Sequence, residues 1–240
     1  MASLRPVFVI AALVMFTGPA AAFPLRPVDA MIERVASKYD SAPRLKDIRA
    51  RMVADKPVSI EELKMLADVG DGLAAYAFAQ RLMALNRTDL HGQAAQYFAI
   101  AIDKGRDYAV APLVAILSDP NSVLVPVRLA HIETTLERQA AAGNPAAVVA
   151  LARLYMQGYP FGAEPEKARI LLRAHSTMDI DGEDALDMAM IIASRPPLGP
   201  EDVAALRNYL LTAARSPELG TRTAAENLLR RFPEGEDEDG

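Results

Sequence analysis

Apolar residues recur through the middle of the chain with the spacing of one face of an α-helix. The clearest stretch is 143–174, where Ala147, Leu151 and Tyr155 lie four, eight and twelve residues after a glycine. This spacing places the three side chains on the same helix face. A glycine-containing loop and a second segment with helical spacing follow, so the stretch predicts a hairpin of two short helices.

The same spacing occurs three more times. The corresponding starting residues are Gly70, Gly105 and Asp181, so that with Gly143 the four anchors are 35, 38 and 38 residues apart. The residues at offsets four, eight and twelve are Ala74, Phe78 and Leu82; Ala109, Leu113 and Leu117; and Ala185, Ala189 and Ala193. A hairpin of this size cannot bury its apolar face alone, and a period of this length with two helices per unit is typical of an α-solenoid. We therefore predict an all-α fold, an α-solenoid of helical hairpins.

The clearest hairpin carries a characteristic set of residues. They are Ala147, Leu151, Leu154, Tyr155, Gly158, Lys167, Ala168, Leu172 and Ala174. In this set the hairpin resembles the Sel-one-like repeat, a variant of the tetratricopeptide repeat. The unit 70–105 is similar in its two helices but lacks the glycine-rich loop, and the resemblance covers about residues 59–215. It implies a superhelix of repeats that holds other proteins, and it implies no catalytic residues.

Residues 1–22 have the pattern of a secretory signal peptide. Arg5 supplies a positive charge, residues 7–16 form an apolar run too short to span a bilayer comfortably, and Ala20–Ala22 offer small residues before a cleavage site. We predict cleavage after Ala22 and a periplasmic protein, with release outside the cell as the alternative. An uncleaved membrane anchor is the other interpretation of the segment.

The rest of the chain is expected to form the repeat array and its two ends. Residues 23–57 predict N-terminal capping helices, one of them with a basic face. Residues 58–215 predict the Sel-one-like array, which begins with an S-x-x-E capping box. Residues 216–233 predict a C-terminal capping helix. Residues 234–240 (EGEDEDG) contain five acidic residues and no apolar one, so we predict a disordered acidic tail.

Composition and motifs narrow the chemistry. The chain has no cysteine, which excludes disulfides and thiolate metal sites, and its net charge of -5 without a basic block argues against a nucleic-acid partner. The histidines, His91, His131 and His175, lack the spacing of a metal motif, and no phosphate-binding loop or nucleophile elbow occurs. The acidic cluster 179–184 lacks the glutamate that a calcium loop needs, so Asp181 is interpreted as a helix cap. We predict no catalytic residue, no metal and no cofactor.

The remaining candidate for function is a binding surface on the repeats. In solenoids of paired helices the first helices line the concave side, so offsets six and ten of each unit should face the groove. The predicted partner-binding residues are Tyr76, Gln80, Val149, Arg153 and Asp187; Ala111, Ala115 and Ile191 complete the set. Exposed tyrosine and arginine are favoured at protein interfaces.

These observations predict a non-enzymatic, monomeric, exported scaffold or adaptor. It would bind a protein partner, an envelope or membrane protein, in the groove of the repeats. Two alternatives stay open. The resemblance also allows a periplasmic regulator of a membrane sensor kinase or of a polysaccharide export system, and the acidic composition allows a cell-wall hydrolase whose carboxylates the sequence does not identify.

Overall fold

A computed structural model describes residues 39–233, and the chain in that range is all-α, without strands. Its eleven α-helices are α1 Pro43–Val53, α2 Ile60–Asp68, α3 Gly72–Met83, α4 His91–Asp103, α5 Val110–Ser118, α6 Pro126–Ala141, α7 Pro145–Gln157, α8 Pro165–Ala174, α9 Gly182–Ala193, α10 Pro200–Ala213 and α11 Leu219–Leu229. The all-α prediction is confirmed. The predicted signal peptide, the first capping helix and the acidic tail lie outside the described residues. None of the described helices has both the length and the apolar character needed to cross a membrane.

Side-chain caps begin several helices, and those of α2 and α9 lie at the predicted residues. Ser59 Oγ accepts a hydrogen bond from the Glu62 amide at 3.2 Å, and the Glu62 carboxylate accepts one from the Ser59 amide at 3.0 Å, which completes the capping box of α2. Asn144 caps α7 and Asp181 caps α9, each accepting from the amide three residues later at 3.2 and 2.8 Å. Caps of this kind contribute about 1 kcal/mol each to helix stability.

Nearly all helices pack against the next one along the chain, and many also pack against the next but one. In the odd-numbered series α5 contacts α7, α7 contacts α9, and α9 contacts α11. In the even-numbered series α4 contacts α6, and α8 contacts α10. The two helices of a hairpin therefore belong to different series.

The residues at the repeat offsets form the core. Of the twelve residues at offsets four, eight and twelve, all except Ala193 are at most 5% exposed. Three of the anchors, Gly70, Gly105 and Gly143, have φ values of 75°, 72° and 83°. A residue with a β-carbon is strained in that left-handed conformation, so glycine allows the sharp turn that separates one hairpin from the next.

The fourth anchor needs a correction of one residue. Asp71 and Asn144 cap their helices and directly follow an anchor glycine, whereas Asp181 is itself the cap of α9. Aligned by their caps, the units place the fourth anchor at residue 180, so the last spacing is 37 rather than 38. With this alignment offsets eight and twelve fall on Met188 and Ile192, both fully buried, whereas Ala193 is only partly buried. Offset four falls on Asp184, which is partly exposed, while the neighbouring Ala185 is fully buried.

The start of α9 packs closely against the turn that follows α10. A β-carbon added to Gly182 would lie 2.5 Å from the β-carbon of Ser216, nearer than real side-chain contacts allow. We expect Gly182→Ala to lower the free energy of unfolding by about 2 kcal/mol, because the two segments must move apart. At Gly220 the nearest atom is 3.5 Å away, on the flexible carboxylate of Glu218. Gly220→Ala should therefore change stability by less than about 0.5 kcal/mol. Thermal unfolding of both variants measures the two changes in stability. Equal losses of stability in Gly182→Ala and Gly220→Ala would contradict this expectation.

Candidate functional site

Two of the predicted partner-binding residues form an ion pair between α7 and α9. Arg153 Nη2 donates to Asp187 Oδ2 at 2.7 Å and to Asp184 Oδ1, also at 2.7 Å. One guanidinium nitrogen is thus shared by two carboxylates of the same helix. The pair joins the two helices, and the side chains of Arg153 and Asp187 remain partly open to solvent, at 36% and 53% exposure.

The charges at this place are not balanced. Burial would lower the pKa of Arg153, but its bonds to Asp187 and Asp184 raise the pKa above its ordinary value, so the guanidinium stays charged. Burial raises the pKa of Asp184, and the neighbouring carboxylate of Asp181 adds to that rise against the opposing effect of Arg153. Four carboxyl groups lie at or near the start of α9, those of Asp181, Glu183, Asp184 and Asp187, whereas Arg153 is the one cationic residue of α7 and α9.

A depression of about 360 Å³ lies beside this ion pair. Its lining residues are Arg153, Met156, Gln157, Asp187, Met190, Ile191 and Ser194. The apolar part comes from two methionines and an isoleucine, and Met190 is 51% exposed. Methionine is flexible and polarisable, and it adapts to the shape of a partner surface. The depression can accept an apolar side chain beside a charged rim.

The sequence pattern missed Met190. With the anchor of the fourth unit at residue 180, offset ten falls on Met190, which makes it the counterpart of Gln80 and Arg153 in the earlier units. The signal was available in the sequence, since Asp181 has the pattern of a helix cap, and the caps Asp71 and Asn144 follow the anchors of their units by one residue. Asp187, predicted at offset six, lies at offset seven after the correction and still lines the depression.

The other predicted pair, Tyr76 and Gln80, lies on α3. Gln80 Nε2 donates to the Tyr76 hydroxyl oxygen at 2.6 Å. The Tyr76 ring packs against Phe98, with 5.7 Å between ring centroids, and against Tyr108 at 4.6 Å in an edge-to-face arrangement. Tyr76 is half-buried by these rings, whereas Gln80 and Tyr108 are exposed. This pair therefore offers a polar group and a partly exposed aromatic cluster.

Val149 was predicted to face the groove, and this prediction is wrong. The side chain is 5% exposed and belongs to the hydrophobic core. The reason is that α7 packs against α5, α6, α8 and α9, so its buried arc is wider than one stripe at offsets four, eight and twelve. Ala111 and Ala115 on α5 are exposed as predicted.

A second, larger surface lies over α6, α8 and α10. Three depressions of about 370, 490 and 570 Å³ adjoin one another there. Ile170 and Ala174 line the first two, and Ala204 and Asn208 line the second two. Arg173 on this surface is engaged by Glu201 at 3.2 Å and by the buried Asp202 at 3.4 Å. The surface is mainly apolar, and the sequence pattern did not find it because only first helices were searched.

One cluster has the residue types of a hydrolytic triad but the wrong geometry. His91 Nδ1 lies 2.8 Å from Ser122 Oγ and 3.7 Å from Asp119 Oδ2. A triad needs the serine and the carboxylate on opposite nitrogens of the ring, so that the proton taken from serine is balanced by the acid. Here both lie at the same nitrogen, and the cluster instead fixes the loop after α5 to the start of α4. Across residues 39–233, no group of three or more histidine, aspartate or glutamate side chains is placed to hold a metal ion.

Known proteins give no further guide to the site. No family model, no curated protein and no solved structure matches the chain.

Proposed function

We propose that the chain is an exported scaffold whose hairpins stack as an α-solenoid of the Sel-one-like type and hold a protein partner on the surface of α7 and α9. Two findings support the stacking. The odd-numbered helices contact one another from α5 to α11, and ten of the twelve residues at the repeat offsets belong to one hydrophobic core. Such stacking leaves an outward face on each series, and a partner can bind along it.

The observation that carries the proposal is the depression between α7 and α9. It combines an exposed methionine with an ion pair whose two members are partly open to solvent. Interfaces favour methionine and arginine over other surface residues. Arg153 is occupied by two carboxylates. The two lining residues with a base or a nucleophile are also engaged, since Asp187 accepts from Arg153 and the Ser194 hydroxyl donates to the Ile191 carbonyl at 2.7 Å. This arrangement suits the binding of a side chain better than the turnover of a substrate.

A photo-crosslinking experiment tests the proposal. A photoreactive amino acid at Gln157, which lines the depression and is exposed, should give one discrete adduct in cells that produce the chain. The same probe at Leu85, an exposed position after α3, should not give that adduct. Adding Met190→Lys to the Gln157 probe should reduce the adduct at least fivefold, because a charged amine then occupies the apolar part of the depression.

The surface over α6, α8 and α10 is the alternative binding site, and a probe placed there gives the decisive comparison. The photoreactive residue at Ile170 reports on α6, α8 and α10, where that side chain is exposed. An adduct from Ile170 that survives Met190→Lys, with none from Gln157, would contradict the proposed site and move binding to the second surface. Equal adducts from Leu85 and Gln157 would show unspecific proximity and would also contradict it.

A further inference from the structure

We infer that the segment received between α7 and α9 is both basic and apolar, a stretch of a partner protein in which lysine or arginine alternates with large aliphatic residues. The inference rests on the proposed function and specifies the chemistry of the partner.

Three side chains of the depression determine that the partner segment carries apolar residues. Met156 and Met190 line the depression from α7 and α9, with Ile191 beside them. Met190 exposes about half of its surface, so an aliphatic side chain placed against it removes apolar area from water on both partners. A segment made only of small or charged residues would leave this area exposed.

The excess of carboxylates around the depression determines the charge of the partner segment. Helices α7 and α9 together contain one cationic side chain, Arg153, and three acidic ones, Glu183, Asp184 and Asp187; Asp181 adds a fourth acid as the cap of α9. Arg153 already bonds to two of the acids. Glu183 is exposed and the Asp187 side chain is 53% exposed, so both can accept a further donor from outside.

The sign of the partner follows from this balance. An acidic segment would bring more negative charge to carboxylates that Arg153 does not neutralise, which costs free energy. A lysine or arginine would pair with Asp187 or Glu183 and relieve the repulsion between the carboxylates of α9. Charge complementarity therefore selects a basic segment, and the methionines require that it also carry aliphatic residues.

Four labelled twelve-residue peptides test the inference by fluorescence anisotropy. They alternate leucine with lysine, leucine with glutamine, leucine with glutamate, and alanine with lysine. The leucine–lysine peptide should bind at least tenfold more tightly than the leucine–glutamine and alanine–lysine peptides. The leucine–glutamate peptide should show no saturable binding.

Matched charge variants locate the effect. The double change Glu183→Gln and Asp187→Asn should weaken binding of the leucine–lysine peptide about fivefold and leave that of the leucine–glutamine peptide unchanged. The control pair Asp55→Asn and Glu226→Gln alters the net charge equally at exposed positions of other elements. This control should leave both affinities unchanged.

Several outcomes would overturn the inference. Equal binding of the alanine–lysine and leucine–lysine peptides, or equal losses in the two double variants, would show general attraction to an acidic protein. Preference for the leucine–glutamate peptide would show that the partner segment is acidic and not basic. The scaffold proposal fails separately: a partner crosslinked at Gln157 through an acidic segment would keep the scaffold and refute this inference, whereas absence of any adduct at Gln157 refutes the site itself.

Discussion

Leu113→Ala is expected to lower the free energy of unfolding by about 4 kcal/mol, because it empties a fully buried position. Leu113 lies on α5, is 0% exposed, and occupies offset eight of the unit that begins at Gly105. Helix α5 packs against both α4 and α7, so the neighbours cannot close the cavity without losing their own contacts. Urea unfolding followed by far-UV circular dichroism measures the change.

The matched control is a leucine that the repeat offsets do not place in the core. Leu211 lies within α10 and is 41% exposed. Leu211→Ala should cost less than about 1 kcal/mol, because much of the side chain already contacts water in the folded state. Comparable losses for the two variants would show that offset eight of this unit does not define a core position.

The hairpins could be predicted because their signals are local. An apolar residue every three or four positions marks each helix, and a glycine at a left-handed turn marks the start of three of the four units. The turns at Gly70, Gly105 and Gly143 all have positive φ, so the chemical reason for the anchors is now explicit. The fourth unit has no such glycine, and its anchor was placed one residue late as a result.

The site could be predicted only in part. Offsets six and ten identified Arg153 and Asp187 as surface residues, and the structure brings the two into one ion pair. The same offsets placed Val149 at the surface because they assume one neighbour on each side of a helix. A helix packed against four others exposes a narrower face, and the number of neighbours is a property of the tertiary fold.

The sequence pattern does not predict polar contacts between residues that are far apart along the chain. Tyr155 was recognised as a core position, but its hydroxyl donates to Glu137 at 2.8 Å and lies 3.1 Å from Glu133, both on α6. Burial raises the pKa of Tyr155, and the hydrogen bond and charge of these carboxylates add to the rise. No periodic pattern encodes which acidic residue of a neighbouring helix lies opposite a buried hydroxyl.

A buried cluster of this kind surrounds Asp71, and Asp71→Ala is expected to lower the free energy of unfolding by about 3 kcal/mol. Asp71 is 5% exposed; its Oδ1 accepts from the Ala74 amide at 2.9 Å and thereby caps α3. Its Oδ2 accepts from the Tyr39 hydroxyl and from Arg49 Nε, each at 2.5 Å. The alanine variant removes the cap and takes the carboxylate away from a partly buried arginine. Urea unfolding at neutral pH measures the loss.

Asp71→Asn separates the charge from the cap, since asparagine caps helices as well as aspartate does. Burial alone would raise the pKa of Asp71, but hydrogen bonds from Tyr39 and Ala74 and the charge of Arg49 hold it below its ordinary value of about 3.9. A depressed carboxyl pKa in the folded state stabilises the protein above the ordinary value, and the contribution is lost as the pH falls through the depressed pKa. The stability difference between the wild-type chain and Asp71→Asn should therefore be largest near pH 6 and shrink steadily below pH 4. A difference that stays constant from pH 6 to pH 2.5 would show that the charge of Asp71 contributes nothing to the fold.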